Sequence, residues 1–373
     1  MRSTRTLRTA SRLPRPPRRR VRPALVPALV LVAAAAAGVL APGPAHAAPA
    51  CAAPAGAAPP VEVAHLPDWV ESIAVDARGR MFATAYYTGR VYRVDAPGSA
   101  PVALTGSIGA NGGIVVRADG KLLVGTGNDL AHSLTGDLFP RSELLLVDPE
   151  SGAVSTYASG LGGIDGVALA PDGTVYTTTL GGRNIGRVTP DGHVDPAWAR
   201  VPQPNGIAVS PDGSQVYVVQ TTFAPGLYRI PVSDPDRPRR WISTAPSDAL
   251  ALPDGLTLDG RGRPLISTHA SGQIWRVEDG SLCAVASGLH LSTQLTHGRG
   301  DTGFAAGRLY RAGIDGRILE VPAGAEPPAA RPAPWTGSVD RPRGPVGAPP
   351  PEIRSGSAGA TIEAGQGQGH PPG

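Results

Sequence analysis

Between residues 61 and 322 the hydrophobic positions of the chain gather into short runs separated by glycine-bearing turns, and the pattern repeats. Aligned on the glycine of the turn, segments 71–79, 112–120, 165–173, 205–213 and 254–262 superimpose, with a looser sixth at 293–300. Each starts with an apolar strand, turns at an Asp-Gly or Arg-Gly pair suited to a tight hairpin, and returns in a second strand such as 81–85 or 175–179. Third strands follow, as at 90–95 and 273–277, and shorter fourth strands at 102–104, 154–157, 241–243 and 282–285. Four short antiparallel strands recurring in this way predict an all-β fold, a six-bladed β-propeller of four-stranded blades. A β-sandwich would not repeat its sequence. The sixth unit runs out of strands before a Pro-rich stretch, whereas residues 61–66 form a strand without a blade. The N-terminal strand is therefore expected to complete blade six, closing the ring and removing an open edge.

Outside the repeats the composition changes. Residues 1–22 hold nine arginines and no acid, and an apolar run from Ala24 to Leu40 leads to Ala45-His46-Ala47. This predicts a signal peptide over 1–47, cleaved after Ala47, and a secreted mature protein. A membrane anchor is the alternative, but the run contains Pro27, is followed by Pro42, Gly43 and Pro44, and is shorter than the ~20 residues a span needs. Arg18-Arg19 fits a twin-arginine signal poorly, so the export route is open. Residues 48–60 read as a Pro/Ala linker, 61–322 as the propeller and 323–373 as a disordered Pro/Gly-rich tail.

Removing the leader reverses the charge: nine of the 34 basic residues go, leaving 25 against 30 acids. A mildly acidic body without a basic stripe excludes nucleic acid as a partner, and no membrane partner is expected after cleavage. The mature protein is expected to be a monomer that acts on a small molecule. Both cysteines, Cys51 and Cys283, survive cleavage, and an even count in an oxidising compartment predicts one disulfide. The alternative, a lipid-modified Cys51, is disfavoured by the residues Ala48-Pro49-Ala50 before it. With residues 61–66 closing the ring, Cys51 would fall beside Cys283 in the outer strand of blade five.

The residue just ahead of each innermost strand converges on the propeller axis. Around the ring it reads Glu71, Gly112, Asp165, Asn205, Asp254 and Thr293. Three carboxylates and an amide forced together are unfavourable unless a cation or shared protons compensate. The donors are all oxygens, which suits one hard divalent ion, Ca2+ before zinc. The alternative is that they cap inner strands, as Asp76, Asp119, Asp172, Asp212 and Asp259 are expected to do at the hairpin ends. Ends of second strands should also face the mouth: Tyr86 and Tyr87, Asn128 and Asp129, Thr221 and Thr222, and His269. Asn111 stands one place before the ring position of blade two. His269 titrates near neutrality and is the candidate assisting acid or base, its alternative being a surface histidine before Ala270-Ser271-Gly272.

Six units, Glu71 before an apolar strand, Pro204-Asn205-Gly206 and Pro253-Asp254-Gly255 resemble the regucalcin and gluconolactonase family of calcium-dependent propellers over residues 60–322. The resemblance implies a metal held by Glu71, Asn205 and Asp254, with Asp254 also the base or nucleophile of ester or lactone hydrolysis. It implies an asparagine where this chain has Asp165, so the metal-binding or substrate-binding role of that place is open here. Asp165, Asn111 and Tyr86 are the candidate substrate contacts. The sugar-lactonase branch carries an arginine two residues before the blade-three position, where this chain has Gly163, so sugar-lactone specificity is not expected.

Two other functions compete on the same scaffold, a non-catalytic NHL-like binding propeller and a strictosidine-synthase-like enzyme. Arg299-Gly300-Asp301 spells an adhesion tripeptide but falls in a Gly-rich hairpin where it arises by chance. Gly125-Thr126-Gly127 lacks the rest of a dinucleotide loop, and no helix is expected after it. Neither a Gly-x-Ser-x-Gly elbow nor a His-Glu-x-x-His site is present.

Overall fold

A computed structural model describes residues 48–51 and 58–325. The expected signal segment through Ala47, residues 52–57 of the linker and the tail from residue 326 lie outside the described residues. Among the described residues no helix is long and apolar enough to cross a membrane.

Six four-stranded antiparallel sheets form the blades of a β-propeller. Their innermost strands are Val70–Val75, Ala110–Val116, Val167–Leu169, Pro204–Val209, Pro253–Leu258 and Ser292–His297. The ring closes as expected: Val61–His65 pairs antiparallel with Arg317–Glu320 and becomes the outer strand of blade six. Past that blade, Pro322–Gly324 make a 3-10 turn, with Gly324 packed on Leu309.

The hydrophobic runs look continuous because most strands are buried on both faces; Met81–Ala85 is buried throughout. Alternate side chains enter different clusters, so that Phe82 packs toward blade two and Ala83 toward blade six. Six clusters result, one between each pair of neighbouring blades. The core is thus a ring of layers, each shared by two sheets.

Glycine sets how closely those layers approach at the axis. A Cβ on Gly206 would lie 2.3 Å from the Asp254 carbonyl oxygen, and one on Gly255 would lie 2.3 Å from the Thr293 carbonyl oxygen. The glycine after each of these ring residues is therefore a packing requirement. Hydroxyl groups tie alternate blades across the same gap. Thr84, Thr178 and Ser267 each accept an N–H from their own inner strand, and each donates to the carbonyl of the next blade's ring residue, Gly112, Asn205 and Thr293.

The hairpin aspartates are turn residues. Asp76 accepts from the N–H groups of Arg78 and Arg80, Asp212 from Ser214, and Asp259 from Arg261 and Arg263. Gly79, Gly120, Gly173, Gly213 and Gly262 follow at positive φ. Gly300 departs from this set: residues 298–306 fold back on themselves through two bridges and pack on Gly79. That excursion explains the looser sixth repeat.

Two elements escape the sequence pattern. Blade three has a fourth strand, Val194–Arg200, whose pairing skips the residues around Pro196. Proline is tolerated there because the strand is outermost and the bulge needs no donor. Contrary to expectation, a helix, Leu130–Thr135, follows Gly125-Thr126-Gly127, capped by Asp129, whose carboxylate accepts from the His132 N–H.

Cys51 and Cys283 form the expected disulfide, 232 residues apart. Residues 49–51 run along the outer strand of blade five, with the Cys51 N–H donating to the Ala284 carbonyl. Closing so long a loop restricts the unfolded chain strongly. Replacing Cys283 with Ser should lower unfolding free energy by about 2–5 kcal/mol, read as a fall in the denaturant midpoint with the blades retained by circular dichroism.

Candidate active site

Four of the six ring positions bring side chains to one cavity of about 290 Å3 at the mouth of the channel: Glu71, Asp165, Asn205 and Asp254. The other two do not. Gly112 has no side chain and lies against the Ile164 carbonyl, and the Thr293 hydroxyl donates to the Val70 carbonyl at 2.7 Å. Glu71, Asp165 and Asn205 are buried, while the Asp254 side chain keeps 18% exposure. The three acids do not all gather within 4.8 Å of one another. Ligand oxygens on opposite sides of a Ca2+ ion stand up to about 5 Å apart, given bonds of 2.3–2.6 Å.

Asn128 holds two of these acids. Its amide donates to Glu71 Oε1 at 3.0 Å and to Asp165 Oδ1 at 2.8 Å, and its own N–H donates to Asn111 Oδ1. Asn111 is absent from the cavity wall and acts on the site by positioning Asn128. One oxygen of each acid, Glu71 Oε2 and Asp165 Oδ2, is buried without a hydrogen-bond partner. No lysine or arginine lines the cavity.

Burial, then the charges of Asp165 and Asp254, pushes the Glu71 carboxyl well above its ordinary range. Burial and the Asp165 charge do the same to Asp254, against a hydrogen bond from Asn205 that favours its ionised form. Burial raises Asp165 to about 6, opposed by interaction with the Glu71 carboxyl and by the hydrogen bond from Asn128. Without a cation the acids are thus held partly protonated. Unpartnered buried oxygens, an all-oxygen donor set and the lack of a lysine or arginine together fit a hard divalent cation held by Glu71, Asn205 and Asp254.

His269 stands with Nδ1 4.0 Å from Asp254 Oδ2, and burial lowers its pKa, which keeps the ring neutral near pH 7. Tyr86 lines the cavity and stacks on Trp69, with ring centroids 4.3 Å apart. Burial and then the Glu71 and Asp165 charges raise the Tyr86 pKa, so it stays a phenol. Asp129 caps the helix and is not among the residues of the cavity wall, whereas Thr221, Thr222 and Tyr87 line it.

Several wall residues carry no signal in the ring itself. Trp69, Gln203 and Leu252 each stand two places before a ring residue and line the cavity. Gln203 and Leu252 adopt φ of 47° and 51° before a proline, and Phe223 in the wall of blade four has a φ of 52°. Left-handed backbone costs a non-glycine residue of order 1 kcal/mol or more, and its clustering here marks the site. The helix adds Leu130, Ser133 and Leu134. The common offset from the ring was a readable signal; the helix left only its Asp129 cap.

Fold and site together define a six-bladed propeller with an acid-lined mouth, and comparison with known proteins gives the class a narrower name. Residues 184–287, which include Asn205, Asp254 and His269, match the SMP-30/gluconolactonase/LRE-like region. A gluconolactonase from Xanthomonas campestris is similar in structure, with 19% identity, a TM-score of 0.58, and coverage of 76% of this chain and 99% of that one. A structural-genomics protein provisionally assigned as a gluconolactonase shares 21% identity at TM-score 0.57, covering 72% and 92% of the two chains. The PQQ-bound aldose sugar dehydrogenase of Streptomyces coelicolor is also similar, at 17% identity and TM-score 0.51 over 72% and 99%. No curated protein matches the sequence. The chain is a gluconolactonase-like propeller in fold.

In the metal-free protein Asp165 binds its proton more tightly when folded, at about 6, than in the unfolded chain near 3.8. Folding then takes up a proton in that interval, so stability falls as pH rises through it, by up to ~3 kcal/mol. Denaturant midpoints measured in EDTA at pH 4, 5, 6 and 7 should show this fall, and Asp165→Asn should reduce it, leaving the share of Glu71 and Asp254.

Proposed function

We propose that the protein is a divalent-cation-dependent hydrolase of lactone or ester bonds in small molecules, with Ca2+ as the ion. The observation that carries this reading is the burial of unpartnered carboxylate oxygens on Glu71 and Asp165 beside Asp254 and Asn205, in a cavity without a lysine or arginine. The family-model match over the segment carrying Asn205 and Asp254 supports it. So does the likeness to a gluconolactonase, a protein whose name implies lactone cleavage.

Glu71, Asn205 and Asp254 would hold the ion, which when bound supplies a Lewis acid for the carbonyl oxygen and stabilises the three acids in their ionised state. Asp254 removes a proton from water as the water oxygen attacks the carbonyl carbon, or attacks that carbon itself to give a mixed anhydride that water then hydrolyses. The carbon–oxygen bond of the ester breaks, the leaving oxygen takes up a proton, and a hydroxy acid or an acid and alcohol result. Neutral His269, 4.0 Å from Asp254, is placed to relay that proton. Thr221 Oγ1 is a buried hydroxyl without a partner in the wall, available to orient a substrate oxygen, while the Trp69 indole N–H is directed to the Glu71 carboxyl. Asn128 fixes the Glu71 and Asp165 carboxyls so that their free oxygens stay in the cavity.

Added Ca2+ should raise the melting temperature of the EDTA-treated protein, with ~2.7 kcal/mol of stabilisation at 100 times Kd. Asp254→Ala should lose at least ~1,000-fold in kcat/KM toward phenyl acetate and a panel of γ- and δ-lactones, and weaken Ca2+ binding by calorimetry. Hydrolysis at the parent rate by this variant, or by metal-free protein, would sink the assignment.

A further inference from the structure

We infer that the site accepts an uncharged lactone or ester with an apolar substituent, an alkyl or aryl group, in place of a sugar lactone; this rests on the hydrolase reading above. Three features of the mouth point the same way.

The first is position 163. A Cβ on Gly163 would lie 2.5 Å from the Gly127 carbonyl oxygen and 2.9 Å from the His132 carbonyl carbon. No arginine fits there, because the backbone of the helix occupies the space into which it would project. Gly181 makes a second such contact, its Cβ position falling 2.2 Å from the Ser133 carbonyl oxygen. The Asp137 carboxylate adds a staple by accepting from the Arg183 N–H at 2.6 Å. The helix is therefore built onto blade three through glycines, and it delivers Leu130 and Leu134 to the wall.

The second is the wall supplied by blade one. Trp69 stacks on Tyr86 and meets Tyr87 edge-on at 5.9 Å, and the Asp68 carboxylate pins this loop by accepting from the Tyr87 and Thr88 N–H groups. A rigid aromatic step and an aliphatic helix thus line the same cavity. At the rim Tyr87, Leu130 and Phe223 are exposed by 73%, 47% and 56%, so the apolar surface continues out of the cavity. A substrate tail leaving the mouth would cover them.

The third is the distribution of polar groups. The acids and Asn128 sit together, the Trp69 indole N–H is directed to the Glu71 carboxyl, and Thr221 Oγ1 is a buried hydroxyl without a partner. A polyol would bury further hydroxyls against leucine and aromatic carbon without partners, which is unfavourable.

The test uses the mature protein in Ca2+ with δ-decalactone, D-glucono-1,5-lactone and 6-pentylpiperidin-2-one, the lactam counterpart of decalactone, which resists hydrolysis. The lactam should bind by calorimetry, and kcat/KM for decalactone should exceed that for gluconolactone by roughly 100-fold. Leu130→Asp, a change at an exposed helix position, should weaken the lactam roughly 10-fold without altering Ca2+ affinity. Lactam binding without hydrolysis of either lactone would uphold the apolar site and overturn the hydrolase. Hydrolysis of gluconolactone with no lactam binding would overturn the apolar site and leave the hydrolase standing. Failure of both ligands, or an unaffected Leu130→Asp variant that folds as the parent by circular dichroism, would also overturn it.

Discussion

The close approach of neighbouring blades at the axis is the constraint on which the rest of the structure depends. Where a Cβ on Gly206 or Gly255 would go, the carbonyl of the next ring residue stands at 2.3 Å. The backbone of each inner strand is thereby pressed against its neighbour, and the hydroxyls of Thr84, Thr178 and Ser267 lock alternate gaps. With the carbonyls committed to the gap, the side chains of the ring residues turn to the mouth. Packing the propeller and gathering its acids are one operation.

The two ends of the repeat treat their acids in opposite ways. At the hairpin end Asp76 and Asp259 each accept turn N–H groups and pair with an arginine four residues on, at 2.8 Å and 2.6 Å. Their charge is compensated within a few residues of sequence. At the mouth, Glu71, Asp165 and Asp254 lack any cationic side chain in the cavity wall and share one amide donor, Asn128, among the first two. A fold that routinely neutralises its acids at one end and leaves them bare at the other concentrates electrostatic energy where a ligand can release it.

How much was legible follows from which interactions are periodic. The blades could be read because strands buried on both faces make near-continuous apolar runs, and because turn and packing both demand glycine at fixed offsets. The gathering of Glu71, Asp165, Asn205 and Asp254 followed from the repeat alone. Blade three's outer strand was hidden by Pro196, which reads as a breaker although the bulge accepts it. The six-residue helix is too short for a helical period to emerge, and what holds it is tertiary: Gly163 and Gly181 on a different blade. Wall residues such as Trp69 and Leu252 were obscured because their role lies in a backbone turn before the strand, where hydrophobic patterning carries no information.

The closing strand has a consequence for how the chain reaches its fold. Val61–His65 completes a sheet with Arg317–Glu320, and Arg317 pairs with Glu62 across 255 positions of sequence. On a ribosome the first strand waits, unpaired, until the last blade has emerged, and five blades stand as an open stack with exposed edges at both ends. Contacts of such separation slow folding and lengthen the time those edges are available to other chains. The bond between Cys51 and Cys283 clips the same N-terminal segment to blade five. In an oxidising compartment it holds the first strand next to its final partner, shortening the search that ring closure requires.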